Sequence, residues 1–305
     1  RKKKFITREL DDSNIEYTTH LSLKKHIGKK YDIIIIDEIH LLSPAQRIAL
    51  DDIQDNNLCI LGLTGTLMRK TEVSLLEELC LPVVAQYTLA EGIIDKIIPD
   101  YEIHIVNTPL DDTRLVQYSK KMKTDKKHFQ DLNFVIKKMD GMGRDASFLR
   151  LNRMRVIQRS YAKILKTRQI LERYKDERIL VFCGLTEVAD DLGIDSYHAK
   201  VKEKEIFENF VSGKTKHLAV VKIGNSGTTY AKLSRVIINY FDSNAENLAQ
   251  KINRAMTMEF DNPDKKAKII ILSSMEEVEL NWLRKALEFF DPVKIKYHNV
   301  INKQK

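Results

Sequence analysis

Apolar residues arrive in short unbroken runs separated by stretches with helical spacing, and this alternation predicts most of the elements. The segment Tyr31-Asp32-Ile33-Ile34-Ile35-Ile36 is β-branched and ends in continuous apolar residues, the pattern of a strand buried on both faces of a parallel sheet. Ser43-Pro44 then opens a helix through about Ile53, with Ser as N-cap and Pro at the first helical position. A second buried strand is predicted over Leu58–Leu63, a helix over Leu75–Leu79, and an alternating strand over Tyr101–Val106. Residues 111–175 read as mostly helical, broken at Gly141-Met142-Gly143. The β/α rhythm then restarts. Strands are predicted at Ile179–Cys183, Asp195–His198, Leu218–Ile223, Arg235–Tyr240 and Ile269–Leu272. Helices fall between or after them at Glu187–Leu192, Val201–Val211, Asn247–Met256 and Met275–Phe289. Strands separated by helices imply parallel sheets with right-handed crossovers. The expectation is an α/β protein of two lobes, residues 1–110 and 176–305, joined by a helical segment at 111–175.

Size and composition agree with two domains: 305 residues, 43% hydrophobic and 31% charged, are too apolar for a disordered chain. No apolar run approaches the ~20 residues needed to span a bilayer, which excludes an integral helical membrane protein. The start, Arg1-Lys2-Lys3-Lys4-Phe5, lacks the apolar core and cleavage site of a secretory signal, and it lacks Met, so the sequence is expected to be a piece of something longer. Cys59, Cys80 and Cys183 are scattered without metal spacing, as free thiols of a reducing compartment are. A cytoplasmic setting, in a bacterium or a phage-infected host, is the corresponding expectation.

Charge changes the picture because of where it sits. The chain carries +8, yet residues 111–175 hold 18 Lys and Arg against 7 Asp and Glu, which leaves the remaining 240 residues at −3. Within that stretch Arg144, Arg150, Arg153, Arg155 and Arg159 recur among Phe148, Leu149, Leu151, Met154, Val156 and Ile157, as on a helix with an apolar stripe and a basic face. Such a face is either a solvated surface or a track for a polyanion.

Candidate chemistry begins directly after the isoleucine run, with Asp37-Glu38-Ile39-His40. Ligands of parallel sheets bind beyond the carboxyl ends of the strands. An Asp there can hold Mg²⁺, through water, and an adjacent Glu can orient and deprotonate an attacking water. An ordinary polar strand end is the plainer reading. Leu63-Thr64-Gly65-Thr66 closes the second strand with two hydroxyls around a glycine, and the order and spacing of the two motifs say more than either alone. A metal-dependent nuclease or hydrolase built on Asp37, Glu38 and His40 would need further clustered carboxylates, and none follow nearby.

With these residues the sequence resembles the superfamily-two helicases and translocases of the DExH-box class. YDIIIIDEIH resembles their motif II, LTGT their motif III, and Tyr17-Thr18-Thr19-His20-Leu21-Ser22-Leu23 the segment that contacts one strand's backbone. RILVFC at 178–183 is similar to motif IV, and FENFVSGKTKHLAVV at 207–221 to the approach to motif V. Gly227 with Thr228 and Thr229 falls at motif V, and Gln250 to Arg254 at motif VI. NYFDSNAENLAQKINRAMTMEF is most similar to phage-type and other relatives of the DNA-repair and restriction helicases.

The resemblance implies two RecA-like parallel-sheet lobes, the first incomplete, with ATP and Mg²⁺ in the cleft between them. It implies that Asp37 holds Mg²⁺, that Glu38 activates water, and that His40 senses the nucleotide. Gly227 would lie against the nucleotide, and Arg254, helped by Gln250, would reach the γ-phosphate. Thr64, Gly65 and Thr66 would relay closure, while Thr19, Arg150, Arg153, His198 and Thr228 would face the nucleic acid, DNA rather than RNA on the character of that subgroup. A satisfied structural role is open for His198, and Trp282, with Leu283 and Leu287, is spaced for core packing.

Three features depart from the family's pattern. Gly213-Lys214-Thr215 is no phosphate loop, because Glu208 stands where a glycine is required and a helix precedes it. No other GxxxxGK[ST] occurs, so the chain is expected to begin after that loop and to be inactive alone, for want of the main anion cradle. In motif VI, Asn253 replaces Gly and Thr257 takes the place of a second arginine; in motif V, Thr229 replaces an acid. An arginine contributes orders of magnitude to such hydrolysis, so slow turnover is one expectation. The competing one is a nucleic-acid-binding remnant with no useful ATPase.

Overall fold

The computed structural model describes residues 14–53, 58–65, 67, 69–118, 121–201, 203–221, 233–257, 262 and 265–298. The chain divides into two compact units, residues 1–86 and 87–305.

In the first unit, β1 (Ile33–Ile36) and β2 (Cys59–Gly62) pair in parallel, Ile33 opposite Cys59 and Ile36 opposite Gly62. Helices α1 (Pro44–Ile53) and α2 (Arg69–Leu79) and a 3-10 turn at His20–His26 cover one face. Leu23, Ile36, Ile39, Leu42, Leu50 and Leu75 form its core. Burial on both faces, expected for the isoleucine run, is not what the structure has: Ile33 and Ile35 are 60% and 64% exposed. The pleat sends alternate side chains to opposite faces, and among the described residues a layer lies on one face only.

The second unit opens with a short helix, α3 (Leu89–Ile94), capped by Thr88 and Glu91 in reciprocal hydrogen bonds. Its sheet has seven strands, all pairs parallel, in the order β11-β3-β10-β9-β6-β8-β7. These are β3 (Asp100–Asn107), β6 (Ile179–Cys183), β7 (Ser196–Tyr197), β8 (His217–Val221), β9 (Arg235–Ile238), β10 (Lys266–Ser273) and β11 (Ile295–His298). A separate hairpin pairs β4 (Val116–Tyr118) with β5 (Lys121–Lys123) antiparallel. The helices are α4 (Asp125–Gly141), α5 (Ser147–Gln158), α6 (Tyr161–Arg173), α7 (Thr186–Asp191), α8 (Lys204–Val211), α9 (Ala245–Asn253) and α10 (Glu277–Leu287). Every residue of β6 and β9 is buried, as apolar runs covered on both faces must be, and Arg235 at the start of β9 is buried in a pair with Glu177.

Two boundaries differ from the sequence reading. The strand at 100–107, expected in the first lobe, pairs with β10 along its whole length and belongs to the second unit's sheet. The helices expected to join the lobes are also built into that unit. Ile164, Ile170 and Leu171 of α6 pack in one core with Val106, Val181, Ala219, Ile237 and Leu272. Lys163 of α6 and Glu279 of α10 form a fully buried ion pair, 2.5 Å apart, and Glu279 also accepts from the backbone N–H of Ser274 at 2.7 Å. Strand pairing and core packing are tertiary facts, and local pattern does not report them.

Candidate functional site

The first cluster sits at the carboxyl ends of β1 and β2. Backbone pairing continues past the strands: Leu63 N–H donates to the Ile36 carbonyl at 2.8 Å, and Ile39 N–H to the Leu63 carbonyl at 3.0 Å. The segments after β1 and β2 therefore stay side by side. Gly62 permits this, since a Cβ there would lie 2.5 Å from Ile39 Cδ1. Between the segments, Glu38 adopts the left-handed conformation, φ 51° and ψ 49°, which a residue with a Cβ holds only at a cost. The turn carries Asp37 outward, exposed, and brings Glu38 back toward His40.

His40 is buried, and its Nδ1 lies 2.7 Å from Thr64 Oγ1 and 3.3 Å from Glu38 Oε2. One ring nitrogen thus touches both the acid after the first strand and the hydroxyl after the second. Glu38 Oε2 is buried and, apart from the 3.3 Å approach of His40 Nδ1, has no hydrogen-bond partner among the described residues, so it has acceptor capacity for a water. An exposed carboxylate at Asp37 and an unsatisfied carboxylate oxygen at Glu38 fit a hydrated cation and a polarised water, respectively. His20, which the sequence reading did not single out, adds a third tie, with Nε2 2.9 Å from the Asp37 carbonyl oxygen. Thr19, exposed just before it, lies within hydrogen-bond distance of Ser22 Oγ at 3.3 Å. Gly65 is exposed with open space around it. Thr66 lies outside the described residues, as do Gly227, Thr228 and Thr229.

The second cluster is in the other unit. Asn244 caps α9 by accepting from Asn247 N–H, and Leu248, Ala249 and Ile252 bury its inner face. Gln250 and Arg254, four residues apart, share a half-buried face at its C-terminus. Lys251 is half-buried, and its Nζ donates to the Tyr240 carbonyl at 3.4 Å. Burial pulls its pKa below the usual lysine value, with Asp242 opposing, and burial pushes the Cys183 thiol up to about 12. Lys251 therefore braces α9 against the carboxyl ends of β6 and β9, a role that the letters Gln-Lys-Ile-Asn-Arg do not announce. Gly184 keeps this packing possible, because a Cβ would meet the Tyr240 ring at 2.6 Å. Thr257 is half-buried, and its carbonyl accepts from Lys265 at 3.2 Å.

His198 is 2% exposed; its Nε2 lies 2.9 Å from Asp190 Oδ1, which also accepts from Ser196 at 2.6 Å. These two hydrogen bonds hold the Asp190 carboxyl below its usual pKa and tie the end of β7 to α7. Arg150 bonds both oxygens of Asp140 at 2.6 and 2.7 Å, and Arg153 donates to Asn133 at 2.6 Å. Both arginines staple α5 to α4. The structure thus brings Glu38, His40 and Thr64 together, and separately Gln250 and Arg254.

Residues 162–259, from α6 past α9, match the helicase conserved C-terminal domain. The matched residues all lie within the second unit. Among curated proteins, the chain is 23% identical over 243 residues to the DNA 3'-5' translocase XPB2 of Sulfurisphaera tokodaii, covering 73% of this chain and 55% of that protein. The chain spans about half the length of that relative. Among solved structures, it is similar to a fragment assigned as an HsdR subunit of a type I restriction enzyme from Vibrio vulnificus, with TM-score 0.57, 16% identity, 88% of this chain and 48% of that one. Dbp5 of S. cerevisiae, bound to RNA and ADP BeF3, gives TM-score 0.53 at 11% identity, over 90% of this chain and 61% of that one. At these identities the structural likenesses establish the α/β fold with its parallel sheet. No described helix is long and apolar enough to cross a membrane.

Proposed function

We propose that the protein is an ATP-driven DNA translocase or helicase working in the cytoplasm. The observation that supports this most is the contact of His40 with both Glu38 and Thr64, which joins the water-activating position to the segment after β2. A change at Glu38 on hydrolysis is then felt directly at Thr64, the link a motor requires between its nucleotide and its grip. In this reading Asp37 holds Mg²⁺ through water, and Glu38 orients the attacking water through its unsatisfied oxygen. Arg254, with Gln250, stabilises charge on the γ-phosphate from a helix that Lys251 ties to the Tyr240 carbonyl. Gly227 lies against the nucleotide. Thr19, Thr64, Gly65, Thr66, His198 and Thr228 belong to the path of the strand, with His198 acting through Asp190 and Ser196. Arg150 and Arg153 serve that path by fixing α5 on α4. DNA is favoured over RNA by the DNA translocase among the relatives.

The test is hydrolysis of ATP with and without single-stranded DNA, by the polypeptide as its gene encodes it. Glu38→Gln is expected to lower the DNA-stimulated rate by at least about 100-fold, and Arg254→Ala by about 1,000-fold. DNA binding without ATP hydrolysis in the wild type would overturn the motor reading in favour of a binding remnant, for which the threonine at 257 in place of a second arginine speaks.

A further inference from the structure

The α4–α5 hairpin carries surface that the motif-based reading leaves unused. Phe134 on α4 and Phe148 on α5 are 71% and 69% exposed, and exposed phenylalanines of that extent on well-formed helices bury nothing within the fold. The cations around them are not the ones already committed. Arg150 and Arg153 are taken up by Asp140 and Asn133, and Lys127 by Asp131. Lys137, Lys138, Arg144 and Arg155 are exposed, with no side-chain hydrogen bond or ion pair among the described residues. Lys137 and Lys138 follow Phe134 by three and four residues, on the same side of α4; Arg155 follows Phe148 by seven, on the same side of α5.

The hairpin is anchored where a ligand path would run. Leu110, just beyond the carboxyl end of β3, and Val278 of α10, just beyond β10, pack in one cluster with Phe129, Leu132, Val156 and Ile157. That is the end of a parallel sheet at which ligands bind. Aromatic faces beside unpaired cations suit a chain of phosphates whose bases are unstacked, whereas a duplex keeps its base faces covered.

Resting on the DNA-translocase reading, we infer that the α4–α5 hairpin is a binding surface for single-stranded DNA, with Phe134 and Phe148 stacking on bases and Lys137, Lys138, Arg144 and Arg155 holding phosphates. Its geometry is preset by the Arg150–Asp140 and Arg153–Asn133 staples, so that little ordering accompanies binding.

The test is fluorescence anisotropy of the full chain with a labelled oligothymidylate of about 16 nucleotides, across a salt series. Phe134→Leu with Phe148→Leu should weaken binding at least about 10-fold with the salt dependence unchanged, and Phe134→Trp with Phe148→Trp should restore it. Replacing Lys137, Lys138 and Arg155 by Gln should lower the slope of log affinity against log salt by about 2. All these residues are exposed, and unchanged far-UV circular dichroism and melting temperature verify folding. Photocrosslinking of a 5-iododeoxyuridine oligonucleotide should label peptides that contain Phe134 or Phe148. Wild-type-like affinity and salt slope in all variants would overturn this inference alone and leave the motor reading standing. Absence of binding to any DNA would overturn both. Tighter binding of duplex or of the matching RNA, or loss of a protein dimer rather than of DNA in the leucine variant, would assign the surface to another occupant.

Discussion

The two sheets are built from the same kind of segment and meet different surroundings. β6 is an unbroken apolar run and β9 is one after Arg235, which pairs with Glu177, and every residue of both is buried. β1, four consecutive isoleucines, buries Ile36 but leaves Ile33 and Ile35 60% and 64% exposed, and Leu61 of β2 and Leu63 just after it are exposed as well. Local sequence makes both into strands. Whether such a strand also becomes core depends on how many layers pack over it, which is a property of the assembled unit. The comparison gives the second unit strands buried on both faces and leaves the first with its proposed site at one end of a sheet covered, among the described residues, on one face.

The largest effect that tests this contrast is a charge placed in each sheet. Val181→Asp puts an unpaired carboxylate at a position with 0% exposure, and we expect a loss beyond about 4 kcal/mol, enough to unfold the second unit. Ile35→Asp should change stability by no more than about 0.5 kcal/mol. Urea denaturation followed by circular dichroism reads both. A comparable loss at Ile35 would mean that the exposed face is covered in solution and would remove the contrast.

Next in size is the buried pair Lys163–Glu279. Lys163→Met leaves Glu279 charged and buried, and should cost about 3–5 kcal/mol in the same denaturation experiment. Adding Glu279→Leu should return part of that, but not all, because Ser274 N–H and Oγ then lose their shared acceptor. The pair ties α6 to α10, so its cycle measures how strongly the two side chains are coupled. Complete additivity would show that the pair contributes no coupling between these helices.

Much of this was legible in the sequence, and the failures have physical causes. The strands of the second unit, β6, β8, β9 and β10, were readable because a run buried on both faces must be apolar throughout. β11, Ile-Lys-Tyr-His, was missed because it is half-exposed and carries no such run. The β4–β5 hairpin was missed for the same reason, with Lys121 and Lys123 in its second strand. α3 had a signal, since Thr88-Leu89-Ala90-Glu91 is a capping box, and Thr88 and Glu91 do bond reciprocally. Of the proposed site, Asp37, Glu38, His40 and Thr64 are singled out by strand ends, spacing and the resemblance to motifs II and III, and Glu38, His40 and Thr64 do lie together. His20 is not singled out, because its tie runs to a backbone carbonyl 17 residues away. The basic stretch showed where the positive charge lies but not which cations are spent on Asp140, Asn133 and Asp131.

Acidification offers a third, smaller test. In the second unit burial holds His104, His128 and His217 below the ordinary histidine value of 6.5; His104 is opposed by Glu102 and aided by His298 and Lys296, and His128 is aided by Lys123. A histidine with a depressed folded pKa binds its proton less readily folded than unfolded. As pH falls through 6.5 the unfolded chain therefore takes up protons that the folded unit refuses, and stability declines until the folded pKa values are passed. Each group adds a slope of at most about 1.4 kcal/mol per pH unit within that window. Denaturation midpoints of the second unit between neutral and mildly acidic pH should fall accordingly, and His128→Gln should flatten the decline. A profile that rises on acidification would contradict the burial seen here.

The smallest predicted effect is at Glu38, and it separates the needs of the first unit's fold from the needs of its chemistry. Its left-handed backbone costs about 1 kcal/mol or more for a residue with a Cβ, while glycine would lose up to about 1 kcal/mol through its freer unfolded state. Glu38→Gly should therefore leave stability the same or raise it by about 0.5 kcal/mol. Glu38→Gln, which keeps the Cβ, should gain nothing from relief of backbone strain. On the proposed motor reading both variants lose DNA-stimulated ATP hydrolysis together. If Glu38→Gly instead destabilises the unit, the 3.3 Å contact with His40 is holding the fold. Strain at this turn is then maintained by packing and not by what the carboxylate does for a nucleotide, and the reason for a glutamate at that position has to be sought in the half-covered sheet itself.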